Sequence, residues 1–80
     1  MSNLDKYQNV FIDTFSIDVK KTKIKNLKYQ DIQEWDSIGH MTLISNLEEK
    51  FKISIDTDDI VDLSSFSTGI KILEKYKVKF

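Results

Sequence analysis

Apolar residues recur at helical spacing from the start of the chain. Leu4, Tyr7, Phe11 and Phe15 stand three, four and four positions apart, on one face of a helix. Ser2 and Asp5 form a capping pair ahead of that face, with a carboxylate near the positive end of the helix. The pattern predicts a first helix from about residue 3 to residue 15. From Ser16 to Asp36 the periodicity lapses, and Ile17, Ile24, Leu27, Ile32 and Trp35 are scattered among Lys20, Lys21, Lys23, Lys25 and Lys28. A connection of this length is uncommon in a small domain. Either it hides a short helix or its apolar residues pin a long loop across the helices, and the scatter favours the pinned loop.

Periodicity returns at Ser37. Ile38, Met41, Ile44, Leu47 and Phe51 follow at spacings of three, three, three and four, with Leu43 widening the stripe, and predict a second helix. Ile53 and Ile55 then alternate with polar residues. Asp56-Thr57 reads as the cap of a short third helix ending near Leu63. Ser65 caps a last helix whose apolar face is Phe66, Ile70, Leu73 and Tyr76, with Lys75, Lys77 and Lys79 near its negative end. Gly69 inside that helix costs about 1 kcal/mol relative to Ala, which predicts close packing there. The expected fold is all-α: a small four-helix bundle with a long loop between helices one and two and a short third helix.

Eighty residues are one domain, 1–80, with little core to spare for an elaborate active site. A binder, carrier or adaptor is expected rather than a self-contained enzyme. With no Cys there is no disulfide framework and no thiolate metal site. No signal-peptide pattern opens the chain, and no apolar run is long enough for a membrane span. The expected location is cytoplasmic and the expected state a monomer. The abundance of Lys and Ile suggests an AT-rich genome.

The net charge of −1 hides an uneven distribution. From Asp31 to Asp62 nine acids face two lysines, a net −7, while the rest carries ten lysines and four acids, a net +6. This asymmetry points to a partner that meets the acidic middle, against the plainer reading of an ordinary solvated surface.

The informative stretch is Glu34-Trp35-Asp36-Ser37-Ile38-Gly39-His40-Met41. It ends the loop and opens the second helix, leaving the Ser37 hydroxyl among unpaired N–H groups at the positive helix end, where a phosphate is well placed. Taken from the residues alone, Ser37 is foremost a helix cap. His40, three positions on, lies on roughly the same face and is the only His available as a general base, although a lone His is more often a surface polar residue. Trp35 reads as a loop-end residue packed on the helices, ahead of an interface aromatic.

Asp36-Ser37-Ile38 at the head of the second helix resembles the acyl carrier proteins and related peptidyl carriers, which have Asp-Ser-Leu there. The resemblance continues through Met41, Leu43, Ile44, Leu47, Glu48-Glu49-Lys50-Phe51, Ile53, Ile55 and the acidic Asp58-Asp59-Ile60, over nearly the whole chain. It implies a covalent 4'-phosphopantetheine arm on Ser37, flanked by Asp36 and Ile38. A phosphopantetheinyl transferase would install the arm from coenzyme A, and the arm's thiol would carry an acyl chain as a thioester between acyl-loading and acyl-transferring enzymes. A carrier with no thiol of its own needs such an arm. The resemblance also implies that Glu48, Glu49, Asp58, Asp59 and Asp62, with Met41 and His40, meet partner enzymes. Carriers of fatty acid synthesis have more acids in the first turns of this helix than Gly39, His40 and Thr42 provide. A specialised lipid, polyketide or surface-glycan pathway is therefore expected. A peptidyl or aminoacyl carrier and an unmodified carrier-like interaction module remain the alternatives.

Two other readings fail. A calcium loop counted from Asp56 would put Ile60, Val61 and Ser67 where an oxygen ligand, Gly and Glu are needed, so no metal is expected. A nucleic-acid partner is not expected either, because the second and third helices are acidic and the chain has no Arg.

Overall fold

The computed structural model describes residues 2–80. Four α-helices occupy Asn3–Phe15 (α1), Ser37–Phe51 (α2), Thr57–Asp62 (α3) and Phe66–Lys75 (α4). Among the described residues there is no strand, only one antiparallel bridge between Lys28 and Ser65.

Caps set most of the helix starts. Ser2 Oγ accepts the Asp5 N–H at 3.1 Å, and Ser65 Oγ accepts the Thr68 N–H at 3.0 Å. Asp56 stands at the N-cap of α3 with no side-chain cap bond. Its own N–H is held instead by the Tyr76 hydroxyl at 2.9 Å. Helices α1 and α2 both end on left-handed residues, Ser16 and Lys52.

The core is aromatic. Tyr7, Phe11 and Phe15 from α1 pack with Trp35 and Phe66, and leucines and isoleucines from α2, α3 and α4 close around them. In two helices the buried face is the expected one in part. In α2 the core side is Leu43, Ile44 and Leu47, while Ile38 and Met41 are 79% and 53% exposed. In α4 it is Phe66, Gly69, Ile72 and Leu73, with Ile70 half-buried. A Cβ on Gly69 would run into the Tyr7 hydroxyl, and that hydroxyl donates to the Phe66 carbonyl at 2.7 Å. The close packing expected at Gly69 is thus a helix backbone resting on a buried tyrosine.

The connection from Ser16 to Asp36 is pinned through buried Ile24, Leu27 and Trp35, and it also holds one 3-10 turn, Ile24–Asn26. Its second half is tied to the α3–α4 junction. The Phe66 N–H donates to the Leu27 carbonyl at 2.9 Å, and the Tyr29 N–H to the Ser64 carbonyl at 2.8 Å. Among the described residues, no helix is long and apolar enough to cross a membrane.

Candidate functional site

Asp36 and Ser37 divide the start of α2 between them. Asp36 is the cap: its Oδ1 accepts the Gly39 N–H at 2.8 Å and its carbonyl accepts the His40 N–H at 2.8 Å. Ser37 is the first helical residue, exposed, with a hydroxyl that plays no part in capping. The N–H groups of Ser37 and Ile38 have no acceptor among the described residues. A nucleophilic oxygen therefore stands at the positive end of a helix beside two free donors.

Gly39 lets the loop come close enough to build this corner. A Cβ there would run into the Glu34 carbonyl oxygen and meet a Phe15 ring carbon at 3.3 Å. In the sequence Gly39 stands out only as a position without an acid. Its structural role depends on a backbone contact between loop and helix that no periodicity announces.

Ser37 opens on a cleft of about 370 Å³ lined by Tyr29, His40, Met41, Ile60, Val61, Leu63 and Ser64. His40 braces its floor. The Trp35 indole N–H donates to His40 Nδ1 at 3.0 Å, and His40 Nε2 lies 2.7 Å from the Ile60 carbonyl. An indole N–H only donates, so Nδ1 must be the acceptor, and Nε2 carries the proton given to Ile60. The ring is half-buried and stacked on Trp35, with both nitrogens committed. This corrects the general-base reading of His40: with both nitrogens engaged it is a strut joining loop, α2 and α3, one side of which lines the cleft. Trp35 is fully buried against Phe15 and His40, as a loop-end anchor.

Two residues at the cleft were not expected. Val61 is 75% exposed beside Met41, and the two give the cleft an apolar rim, with Ile38 exposed next to Ser37. Tyr29 places its hydroxyl 3.2 Å from Ser37 Oγ. An isolated valine on a short helix and a tyrosine in a lysine-rich loop carry no signal in the sequence.

The acidic residues separate into two groups. Asp58 and Asp62 on α3 and Glu49 on α2 are exposed. Glu49 borders a different groove, with Val10, Asp13 and Asn46. The other two do not face a partner as expected. Glu48 is half-buried, and its Oε2 accepts the Ile55 N–H at 2.8 Å, bracing the turn between α2 and α3. Asp59 is only 7% exposed and takes bonds of 2.5 Å from both Lys75 and the Tyr76 hydroxyl. Those two donors, Lys75 first, hold its carboxyl below the usual carboxylate range. Both acids are spent on fastening α3. Among the described residues, no group of three His, Asp or Glu is placed to hold a metal ion.

No family model, no curated protein and no solved structure matches this chain.

Proposed function

We propose that this chain is an acyl carrier protein, a four-helix bundle of the acyl-carrier type that bears a 4'-phosphopantetheine arm on Ser37. The observation that carries the reading is the Ser37 hydroxyl. It is exposed at the first position of α2, relieved of capping by Asp36, and set at the mouth of a largely apolar cleft.

The residues fit such an arm. A phosphodiester on Ser37 would lie beside the unpaired N–H groups of Ser37 and Ile38 at the positive helix end. Ile38, Met41 and Val61 offer an apolar surface to the chain that follows. When attached, the arm supplies a terminal thiol that holds an acyl group as a thioester.

In loading, Ser37 Oγ forms the new oxygen–phosphorus bond at the pantetheine-bearing phosphorus of coenzyme A. The pyrophosphate bond breaks and adenosine bisphosphate departs. The serine proton passes to a base of the transferase, since His40 has no free lone pair to take it. Asp36 caps the helix start, and Gly39 lets the Glu34 backbone pack against it, so the segment that carries Ser37 is held in place. Asp58 and Asp62 supply negative charge near the apolar rim, suited to a basic partner surface. The exposed positions of α2 after Ser37 are Ile38, Met41, Thr42, Ser45, Glu49 and Lys50, with a single acid, near the far end of the helix from Ser37. That favours enzymes of a specialised pathway over partners that read an acid-rich α2.

The test is intact mass after incubation with coenzyme A and a broad-specificity phosphopantetheinyl transferase, with Ser37→Ala alongside. A gain of one phosphopantetheine on the parent alone is expected. No gain with several transferases would leave an unmodified interaction module and make Ser37 an ordinary helix residue.

A further inference from the structure

We infer that Tyr29 is a positioning residue for the arm, holding the phosphodiester on Ser37 against the cleft by donating its hydroxyl proton to it. This rests on the carrier reading above and goes beyond it, by naming a residue outside the Asp36-Ser37-Ile38 segment that acts on the attached group.

Three observations support it. The first is proximity: Tyr29 Oη lies 3.2 Å from Ser37 Oγ across an irregular connection, and both residues line the same cleft. The second is preorganisation. The Tyr29 N–H is bonded to the Ser64 carbonyl, and its ring sits edge-on to Trp35 at 6.2 Å and to His40 at 5.6 Å. Gln30, next in the chain, is left-handed at φ 70°, and its N–H donates to the Trp35 carbonyl at 3.1 Å, closing the loop that presents Tyr29. A non-glycine residue in that region is uncommon and is held there by its surroundings.

The third is chemistry. Between two hydroxyls either oxygen can donate. Once Ser37 Oγ is an ester oxygen it has no proton, so the pair survives only with Tyr29 as donor, to the ester oxygen or to a charged phosphate oxygen beside it. A hydrogen bond to the charged group is the stronger of the two. Modification thus fixes a direction that is free beforehand, and draws the root of the arm toward Ile60, Val61 and Ser64 and away from solvent.

The experiment compares parent and Tyr29→Phe proteins before and after loading. Phe keeps the ring contacts to Trp35 and His40 and removes only the hydroxyl, so circular dichroism and Trp35 fluorescence should match the parent. Both proteins should gain the arm by mass. In Tyr29→Phe, the phosphorus-31 resonance of the phosphodiester should shift and narrow, and the amide changes on loading at residues 60–64 should shrink. A Tyr29→Phe protein that loads with the parent's phosphorus resonance and the parent's amide changes would overturn the role of Tyr29 while leaving the carrier reading intact. Loss of loading in Tyr29→Phe alone would overturn it as well, moving Tyr29 to transferase recognition. A parent that never loads would remove both readings.

Discussion

Asp36 and Ser37 are adjacent and both are good capping residue types, yet only Asp36 does the capping. Removing its carboxylate leaves the Gly39 N–H without its acceptor. Asp36→Ala should therefore lower unfolding free energy by about 0.5–2 kcal/mol. Ser37→Ala removes a hydroxyl bonded only to another exposed hydroxyl, and should change stability by about 0.5 kcal/mol or less. Urea unfolding followed by the fluorescence of the buried Trp35 measures both. A Ser37→Ala protein less stable than Asp36→Ala would reverse the assignment of the cap. This division of labour was only partly legible in the sequence. The order Asp-Ser before an amphipathic run marks the helix start, but propensity does not say which of two suitable neighbours turns its oxygen inward. Gly69 was more legible, because a glycine within a helix needs a reason, and the Tyr7 hydroxyl is that reason.

At the scale of elements, periodicity located the helices and left their rotation open. Ile38 and Met41 fit the apolar spacing of α2, yet they lie in its first turns and stay exposed, Met41 lining the cleft. The strut through His40 escaped the sequence for a related reason: its partners, Trp35 and the Ile60 carbonyl, lie in the loop and in α3, and meet it only in the folded chain. Helix α3 shows most clearly what a pattern of residues conceals. Six residues are too few to hold helical structure alone. Besides the packing of Ile60 on the core, polar contacts fasten α3: Asp59 to Lys75 and Tyr76 of the α4 end, and the Ile60 carbonyl to His40. Because the folded state holds the Asp59 carboxyl below its ordinary value, the unfolded chain takes up this proton first as pH falls. The stabilisation from this group is therefore complete above the ordinary carboxylate value of about 3.9, and is lost as pH falls through the lower folded value. The stability gap between the parent and Asp59→Asn should be constant from neutral pH to about pH 5 and close below about pH 4. A gap that is unchanged at pH 2.5 would mean that Asp59 acts by shape and not by charge.

Across the whole molecule, charge and apolar exposure coincide at one place. The acidic middle of the chain folds so that Asp58 and Asp62 stand on the same short helix as Val61, close to Ser37 and Met41. The lysines at positions 20, 21, 23 and 25 lie in the connection after α1, all exposed and outside the cleft. Separation of this kind orients a charged molecule toward a partner before contact, an effect that salt screens over about 8–10 Å at ionic strengths near 0.1–0.15 M. If Ser37 is the loading site, the double change Asp58→Lys with Asp62→Lys should lower transferase kcat/KM by about tenfold or more at low salt. The parent and variant curves should converge as salt is raised. Lys20→Glu with Lys21→Glu should leave the rate near the parent value, because those residues are not at the docking end. Glu48→Lys separates steering from scaffolding: its carboxylate holds the Ile55 N–H, so its loss should appear in the unfolding midpoint before it appears in the salt dependence. Equal rates for the parent and the Asp58, Asp62 double variant at every salt concentration would place the docking energy in the exposed apolar residues Ile38, Met41 and Val61, with the acidic segment left as an ordinary solvated surface.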